Sequence, residues 1–416
     1  MDGVILRELI VKNKHVEYHF EARGILREYF TTNTFFVDYE EDMTNVPKSI
    51  MTIPFVASLI PLMWLTDTVM WVEELDQTFY EAIFKIQAAY QRLDYHYVLK
   101  GNLIPAKIVE NSYTPIRESL LLFSGGIDAN ATYIRIKEQK PLLFNIQGWY
   151  KSEDDVNPAA DADIRDISVF SKKEKVDFSY AKSNFAVLLN NTVFDKKIKK
   201  KFGDSWWHGF QHSMGFISIA IPMAFLLKIE KIYIASSVPM GEYVKCASYV
   251  TTDGEFRFAT VGRCIHDGSE LTRQDKVHVI VSYANQGENE YPIRVCSFNT
   301  HNCCACDKCF RSILGIIAEG GDIRKFGFYI DGSIKEHFEL LMKESAQTFN
   351  IRGESQLHWP AIKKKMKENY NNISDKEFVD WFLDYDFENA RKNALKNYYK
   401  KNFFEIISRK LKRLFC

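Results

Sequence analysis

Short apolar runs alternate with longer amphipathic stretches from Ser119 onward. The runs predict buried β-strands, because four or five consecutive apolar residues bounded by polar turns suit a strand covered on both faces. Strands are predicted at 120–123, 142–146, 176–180 and 232–235, with helices near 129–138, 158–172 and 206–228. Strands that alternate with helices indicate βαβ units, so we predict an α/β fold with a parallel, doubly wound, Rossmann-like sheet. Ligands of such sheets bind beyond the carboxyl ends of the strands.

The first 115 residues show a different pattern and no chemical motif. Residues 16–23 alternate between apolar and polar positions and predict a strand, as do residues 35–37. Asp76 is placed to cap a helix, because apolar residues follow it at helical spacing. Residues 103–115 contain two prolines and favour a connector. We predict an α+β accessory domain over 1–115, which acts as a scaffold or docking module.

The chain has 416 residues, which is enough for two domains and a tail. We place the domains at 1–115, 116–325 and 326–416, the last a helical region with a basic tail. Lys and Arg total 54, as do Asp and Glu, so no global charge attracts the chain to nucleic acid. The longest apolar run, residues 53–65, is too short to span a bilayer. The N-terminus lacks the features of a secretory signal, which favours the cytoplasm.

A glycine-rich loop, Ser124-Gly125-Gly126-Ile127-Asp128-Ala129, follows the first of the predicted parallel strands and leads into a helix. Consecutive glycines let backbone N–H groups converge on an anion at a helix N-terminus, where the helix dipole also favours negative charge. Ser124 adds a hydroxyl donor, and Asp128 can hold Mg²⁺ or fix the loop. The alternative is an ordinary strand-to-helix turn, but the strand–loop–helix context favours a phosphate site.

Five of the eight cysteines fall between Cys296 and Cys309. Cys296, Cys303, Cys306 and Cys309 form the pattern C-x6-C-x2-C-x2-C, which predicts a closed tetrahedral zinc site of structural type. An iron–sulfur cluster also uses four cysteines and stays open as an alternative. Cys304 is a fifth thiol inside the loop, and we expect it to be a bystander. A clustered set of this kind is typical of a reducing compartment.

The glycine-rich loop resembles the SGGxDS loop of the ATP pyrophosphatases, or PP-loop enzymes. These enzymes split ATP between the α and β phosphates and activate an oxygen of the substrate as an adenylate. The loop combined with the four-cysteine pattern and a following arginine, here Arg311, is similar to 7-cyano-7-deazaguanine synthase. That family converts a deazaguanine carboxylate to a nitrile with ATP and ammonia. The resemblance covers residues 117–320, about half of the chain.

The resemblance implies ATP, Mg²⁺ and Zn²⁺ as cofactors and assigns roles to individual residues. The implied catalytic residues are Ser124, Asp128 and Arg273, the last within a segment similar to the family's Leu-Thr-Lys-Ala-Glu-Ile. The implied ATP-binding residues are Phe123, Ser124, Gly125, Gly126, Ile127, Asp128, Ala129, Asn145 and Ser236. The implied substrate-binding residues are Tyr243, Lys245 and His208. Arg273 also lies beside Thr272 and Asp275, which form a plausible helix N-cap.

Two positions depart from the family pattern. Ala129 stands where the family usually has serine, which removes one hydroxyl and leaves the backbone cradle. Lys245 stands where the family places an aspartate toward the purine base. A cation cannot accept hydrogen bonds from the amine edge of a guanine-type base, so Lys245 indicates a changed substrate or a different presentation.

The function implied by the resemblance is ATP-dependent adenylation of a carboxylate, deazaguanine-type or linked to a protein or peptide. Ammonia or an amine then attacks, and AMP and pyrophosphate are released. Longer relatives occur in bacterial anti-phage operons and in clusters that make modified peptides or surface glycans, and some are implicated in attaching a deazaguanine to a protein, which implies a protein or peptide acceptor. One alternative is a tRNA-modifying sulfurtransferase that uses Cys246 or Cys264 as its nucleophile. Another is a non-catalytic ATP-sensing subunit of a bacterial defence or biosynthetic complex.

Two further features carry no single interpretation. His208 and His212 lie one helical turn apart near the start of the predicted helix 206–228, where they can line a pocket, pack, or bind a metal. The segment 391–416 has nine Lys and Arg and one acid, Glu405. This basic tail can dock on the protein, lie on an anionic membrane or contact RNA, although RNA is the less favoured partner.

Overall fold

The computed structural model describes residues 2–93, 97–152, 154–199, 202–239, 246–287, 290–296, 299–344, 358–403 and 407. The chain divides into two compact units, Met1–Glu270 and Leu271–Cys416. The division falls after residue 270, whereas the sequence predicted boundaries at 115 and 325. The reason for the difference at 115 is that strands from the first region share one sheet with the strands around the glycine-rich loop.

The first unit is built around one sheet, which has eleven strands within the described residues. In chain order the strands are β1 Gly3–Lys12, β2 His15–Arg23, β3 Thr34–Tyr39, β4 Val69–Asp76, β5 Asn102–Val109, β6 Arg117–Leu122, β7 Leu142–Gln147, β8 Phe178–Ser183, β9 Ile229–Ala235, β10 Arg257–Phe258 and β11 Gly262–Asp267. Across the sheet their order is β10-β11-β9-β6-β7-β8-β3-β2-β1-β4-β5. The predicted α/β fold with a mostly parallel central sheet is thus confirmed.

Five neighbouring strands, β11, β9, β6, β7 and β8, run parallel. The order of the strands reverses at β6, because β7 and β8 lie on one side of it and β9 and β11 on the other. At such a reversal the connections leave the sheet on opposite faces, and a crevice opens at the carboxyl ends of the strands. The glycine-rich loop begins two residues after β6 and therefore lies at this crevice.

Helices cover both faces of the parallel strands. The α-helices of the first unit are α1 Lys48–Met51, α2 Ile53–Thr66, α3 Gln77–Leu93, α4 Ile127–Ile136, α5 Pro158–Glu174, α6 Asn191–Phe194, α7 His212–Leu226 and α8 Val250–Asp253. Residues from α4 and α5 pack with Leu121 of β6, while residues from α7 pack with Leu120 on the opposite face. This alternation along a strand buried on both sides explains the continuous apolar run of β6.

The first region joins the sheet through β3, which pairs antiparallel with β8. Ser183 donates to the carbonyl oxygen of Phe36 at 2.7 Å, and the N–H of Phe36 donates to Asn184 at 2.9 Å. The predicted strands at 16–23 and 35–37 are confirmed as β2 and β3, and the helix after Asp76 as α3. The predicted connector at 103–115 is wrong in its first half, where β5 forms. Pro105 is tolerated there because β5 is an edge strand.

One helix of the described residues, Trp207–Leu226, is long and apolar enough to cross a membrane by length and composition. Most of it is buried within the protein, including 78% of its most apolar window. It packs against α2, whose residues Ile53–Leu65 are also buried. Burial by neighbouring helices and strands is what a core helix requires, and it accounts for the apolar character of both segments.

The second unit is helical in its described part. Its α-helices are α9 Arg273–Asn285, α10 Asp307–Ala318, α11 Ile334–Glu344, α12 Trp359–Glu368, α13 Lys376–Asp384 and α14 Phe387–Lys401. α10 packs against α9 and α12. Phe338 of α11 makes edge contacts with Trp359 and Phe382, which tie α11, α12 and α13 together. The basic tail extends from α14 into residues that lie largely outside the described part.

Candidate functional site: a glycine-rich cavity, a four-cysteine cluster and a Cys–His group

The loop between β6 and α4 has the backbone that its glycines predict. Gly125 adopts a φ of +73°, in the left-handed region that favours glycine. Gly126 is the N-cap of α4, with extended φ and ψ of −80° and 179°. The first N–H groups of α4 have no partner within the helix, as at any helix N-terminus. The loop therefore presents backbone donors and the positive end of a helix dipole at the crevice.

Asn130, in the helix α4 that follows the loop, holds the loop backbone in place. Its side-chain N–H groups donate to the carbonyl oxygens of Gly125 at 2.8 Å and of Gly126 at 2.9 Å. Asn130 is 1% exposed, so these bonds are shielded from water. These two bonds hold the glycine carbonyl groups on the side of the loop that faces Asn130. This residue was not identified from the sequence, because an asparagine inside a helix gives no specific signal.

The space around Gly126 is large enough to hold a side chain. A Cβ atom built on Gly126 would meet only the hydroxyl oxygen of Ser124, at 3.5 Å, which is an ordinary contact. Its backbone conformation is also one that any residue adopts. Neither packing nor φ therefore demands glycine at 126. The open space beside Ser124 is what a group approaching the backbone closely would need.

A cavity of about 240 Å³ lies at the carboxyl ends of β6, β7 and β9. Its apolar wall includes Phe144, Ile146, Phe216 and Ile234, and its polar groups include Ser124, Asp128, Asn145, Ser237 and His212. An apolar pocket with a few convergent polar groups is the usual form of a small-molecule site. The structure thus brings Phe123, Ser124, Asp128, Ala129 and Asn145 together around one space, and the other loop residues adjoin them.

Asn145 and the residues after β9 are positioned by hydrogen bonds. Asn145 donates to the carbonyl oxygen of Phe123 at 2.9 Å and accepts a hydrogen bond from Gln147. The structure differs from the sequence prediction at Ser236, which is buried and donates to the carbonyl oxygen of Val238 at 2.7 Å. Ser237, the next residue, lines the cavity instead. The chain leaves β9 with a bend, which turns the first hydroxyl inward and the second outward.

The four predicted cysteines form a cluster in the second unit. The sulfur atoms of Cys296, Cys303, Cys306 and Cys309 all lie within 4.8 Å of one another. The Cys303 and Cys309 sulfurs are 3.8 Å apart, which matches the edge of a tetrahedron with metal–sulfur bonds of about 2.3 Å. It is the one group of this kind within the described residues. The four cysteines can therefore bind a metal such as zinc.

Local structure places these thiols and excludes Cys304. Cys306 is the N-cap of α10 and Cys309 lies in its first turn, so both sulfurs stand at a helix N-terminus that favours thiolates. A hydrogen bond between Cys309 and Cys306 lowers the pKa of Cys306 to about 5 and raises that of Cys309. Cys304 is not among the clustered sulfur atoms, and its thiol instead donates to the carbonyl oxygen of Asn302 at 3.7 Å. The expectation that Cys304 is a bystander agrees with this geometry.

A third group comprises Cys246, His208 and His212. The Cys246 sulfur is 3.8 Å from Nε2 of His212. Nδ1 of His208 donates to Oδ2 of Asp204 at 2.6 Å, and Nδ1 of His212 lies 3.2 Å from the carbonyl oxygen of Trp207. Burial opposes ionisation of Cys246, but hydrogen bonds from the two histidines outweigh it and lower the pKa of the thiol to about 6. The hydrogen bond to Asp204, followed by that to Cys246, raises the pKa of His208 to about 10.

The remaining predicted residues are placed as follows. His208 borders Cys246 and is not part of the cavity wall, whereas His212 is. Tyr243 and Lys245 lie outside the described residues. Arg273 begins α9 in the second unit, behind a capping box in which Thr272 and Asp275 bond each other's backbone N–H groups. The predicted N-cap is thus confirmed, while the role of Arg273 at the phosphates stays a prediction.

Comparison with known proteins gives no match: no family model, no curated protein and no solved structure matches this chain.

Proposed function

We propose that the protein activates a carboxylate with ATP and transfers the acyl group to ammonia or an amine. In this scheme a carboxylate oxygen attacks the α-phosphorus, the bond to pyrophosphate breaks, and an acyl adenylate forms. The nitrogen nucleophile then attacks the acyl carbon and AMP leaves. The reaction type comes from the resemblance of the loop and the cysteine pattern to 7-cyano-7-deazaguanine synthase, a member of the PP-loop family.

The observation that carries the proposal is the spare volume at Gly126 within a loop whose backbone Asn130 holds in place. A strand-to-helix turn without a ligand would tolerate any residue at 126, since its φ and ψ are unstrained. Glycine is needed there if a phosphate approaches the backbone. The position at the carboxyl end of β6, where the strand order reverses, supports the same site.

The residues around the cavity suit the parts of ATP. Backbone N–H groups of the loop and the Ser124 hydroxyl would bind phosphate oxygens, and the apolar wall around Phe144 and Ile234 would accept the base. Asp128 would hold Mg²⁺, which neutralises phosphate charge when bound. Asn145 orients the end of β7 beside the loop. These donors are preorganised, so they are able to stabilise charge that develops during transfer.

We further infer that the four-cysteine cluster binds zinc in a structural role. Four thiolates complete a tetrahedral shell and leave no open position for a substrate or water. The ion would tie the segment before α10 to the helix itself, because Cys296 and Cys303 precede α10 and Cys306 and Cys309 lie at its start. Its binding free energy would then be part of the folding free energy of the second unit.

The test is release of pyrophosphate by the full-length protein with MgATP, 7-carboxy-7-deazaguanine and ammonia. Asp128→Ala and Ser124→Ala should abolish release while thermal unfolding and zinc content stay at the wild-type level, because both side chains face the cavity. Ala129→Ser is the matched control, since it restores the usual family residue in the same loop, and it should keep activity. Full turnover by Asp128→Ala would show that the loop does not serve this reaction.

A further inference from the structure

Cys246 belongs to a chain of polar contacts in which each member orients the next. Nε2 of His212 lies 3.8 Å from the Cys246 sulfur, and Nδ1 of the same ring lies 3.2 Å from the carbonyl oxygen of Trp207, which orients it. A nucleophile, a base and a group that orients the base form the pattern by which activated cysteines are recognised. The buried Cys246 thiol thus has an oriented imidazole beside it, and the neighbouring His208 ring donates to Asp204 at 2.6 Å.

The backbone around this group is fixed from three directions. The N–H of Ala247 donates to the carbonyl oxygen of His208 at 2.8 Å, and the hydroxyl of Tyr90 donates to the carbonyl oxygen of Ala247 at 3.1 Å. His208 lies in a π-helical turn, Trp207–Gln211, that precedes α7. Such turns occur frequently at functional sites. The His208 and His212 rings lie 6.3 Å apart and nearly parallel, and His212 contacts Cys246.

His212 connects this group to the cavity. Its ring contacts Cys246 at 3.8 Å and also forms part of the cavity wall, as does Ser248 two residues after the cysteine. The thiol, 4% exposed, therefore lies directly behind a wall that the phosphate loop shares. Cys264 provides a contrast, because it is buried in β11 and burial raises the pKa of its thiol. The environment of Cys246 is thus specific to that cysteine.

We propose that Cys246 is an acyl-accepting nucleophile, activated by His212 and reached from the cavity past that ring. The step rests on the proposed adenylation. The Cys246 sulfur attacks the acyl carbon of the adenylate, a C–S bond forms, and the C–O bond to phosphate breaks as AMP leaves. An amine then attacks the thioester, a C–N bond forms, and the thiolate leaves. The amine releases its proton to water, so no oxidant or reductant is required.

The state of the thiol is tested without any substrate. The full-length protein is treated with iodoacetamide at pH values from 5 to 9, and labelling of each cysteine is followed by mass spectrometry. Because the pKa of Cys246 is about 6, its alkylation rate should be half-maximal near that pH, while Cys264 should stay unmodified in the folded protein. His212→Gln should move the midpoint upward. A midpoint near the ordinary thiol value of about 8.5, or no labelling of Cys246 before unfolding, overturns the proposal.

The transfer role is tested with MgATP and 7-carboxy-7-deazaguanine in the absence of ammonia. The wild type should gain the mass of the acyl group on Cys246, and hydroxylamine should remove it. Cys246→Ala should still release pyrophosphate but form amide at least about 100-fold more slowly. Amide formation by Cys246→Ala at the wild-type rate contradicts the nucleophile. Absence of pyrophosphate release from the wild type contradicts the proposed adenylation instead, and the alkylation profile then decides whether Cys246 is activated.

Discussion

At the scale of single residues, glycine is needed at Gly125 and Gly126 for two different reasons. Gly125 needs its left-handed φ of +73°, and a Cβ there would meet nothing closer than Ile167, at 4.0 Å. Gly126 is unstrained, and its missing side chain leaves space beside the Ser124 hydroxyl. Gly125 is therefore needed for the backbone conformation, and Gly126 for the space that a ligand would occupy. Alanine substitutions at the two positions distinguish these needs.

We expect Gly125→Ala to lower the free energy of unfolding by about 1–2 kcal/mol, because an L-residue is strained at positive φ. Gly126→Ala should change it by less than about 0.5 kcal/mol. ATP affinity should respond in the opposite way, with Gly126→Ala weakening binding roughly tenfold or more, a cost of about 1.4 kcal/mol. Urea unfolding and calorimetric titration with MgATP measure the two effects. Unchanged ATP affinity in Gly126→Ala would remove the main support for a phosphate site.

The sequence identified the loop residues but not their supports. Ser124, Gly126 and Asp128 were predictable because consecutive glycines between a strand and a helix have a physical meaning by themselves. Asn130 was not, since its role depends on which backbone carbonyl groups lie beside it, and for His212 the sequence left lining a pocket, packing and metal binding open. Cys246 is 34 residues from His212 in the chain, and nothing local indicates their contact. Sequence alone did not distinguish Ser236, whose hydroxyl bonds a backbone carbonyl group, from Ser237, which lines the cavity, because the bend after β9 depends on its partners.

At the scale of elements, Asp76 joins α3 to two other segments. One carboxylate oxygen accepts from the N–H groups of Phe79 at 2.9 Å and Ala259 at 3.0 Å, and the other accepts from the Asn111 side chain at 2.9 Å. We expect Asp76→Ala to lower the free energy of unfolding by about 2–4 kcal/mol, since a cap is lost and buried donors are left unsatisfied. Asp76→Asn keeps an acceptor and should lose less in the same urea titration.

The difference in stability between the wild type and Asp76→Asn should also depend on pH. Burial, which outweighs its hydrogen bonds, raises the pKa of Asp76 above the ordinary value of 3.8. A raised carboxyl pKa means that the folded state binds the proton more tightly than the unfolded state. The stability of the wild type relative to Asp76→Asn should therefore be greatest below pH 3.8 and decline as pH rises through the folded-state pKa. A difference that grows with rising pH would contradict the assigned environment.

The four-cysteine cluster predicts the metal content of the purified protein. The purified protein should contain about one zinc per chain and be colourless, because a closed zinc–thiolate site has no absorption in the visible range. Cys306→Ser should lose the metal and solubility, whereas Cys304→Ser, outside the cluster, should keep both. Metal analysis and the visible spectrum test this. Brown protein with stoichiometric iron would replace zinc with an iron–sulfur cluster.

At the scale of the whole molecule, residues 1–115 extend the central sheet. The parallel strands were predictable, because apolar runs buried on both faces are visible in the sequence. The pairing of β3 with β8 was not, since its partners are more than 140 residues apart, as Phe36 and Ser183 show. Removing the first region would expose the edge of β8 and the buried face of α7, so its role must be tested with surface variants in the full chain.

The choice of acceptor substrate also depends on more than one part of the chain. If the resemblance to 7-cyano-7-deazaguanine synthase holds, Lys245 stands where an aspartate would contact the base, and we predict that free 7-carboxy-7-deazaguanine with ammonia is a poor substrate, turned over slowly. Truncation after Lys401 removes basic residues and should leave that slow rate unchanged. If the acceptor is an anion such as RNA, the truncation should weaken its use, and the effect should fade at high salt. Efficient nitrile formation from the free carboxylate would show that no larger acceptor is needed.

The proposed reaction requires a carboxylate oxygen to attack the α-phosphorus of ATP at the loop between β6 and α4. The most direct measurement supplies 7-carboxy-7-deazaguanine labelled with ¹⁸O in its carboxylate, together with MgATP and ammonia, and analyses the accumulated AMP by mass spectrometry. Slow turnover suffices, because the label is read in the product. We predict that the AMP carries ¹⁸O and that Asp128→Ala produces none. Unlabelled AMP, or ADP and phosphate in place of AMP and pyrophosphate, would contradict the account.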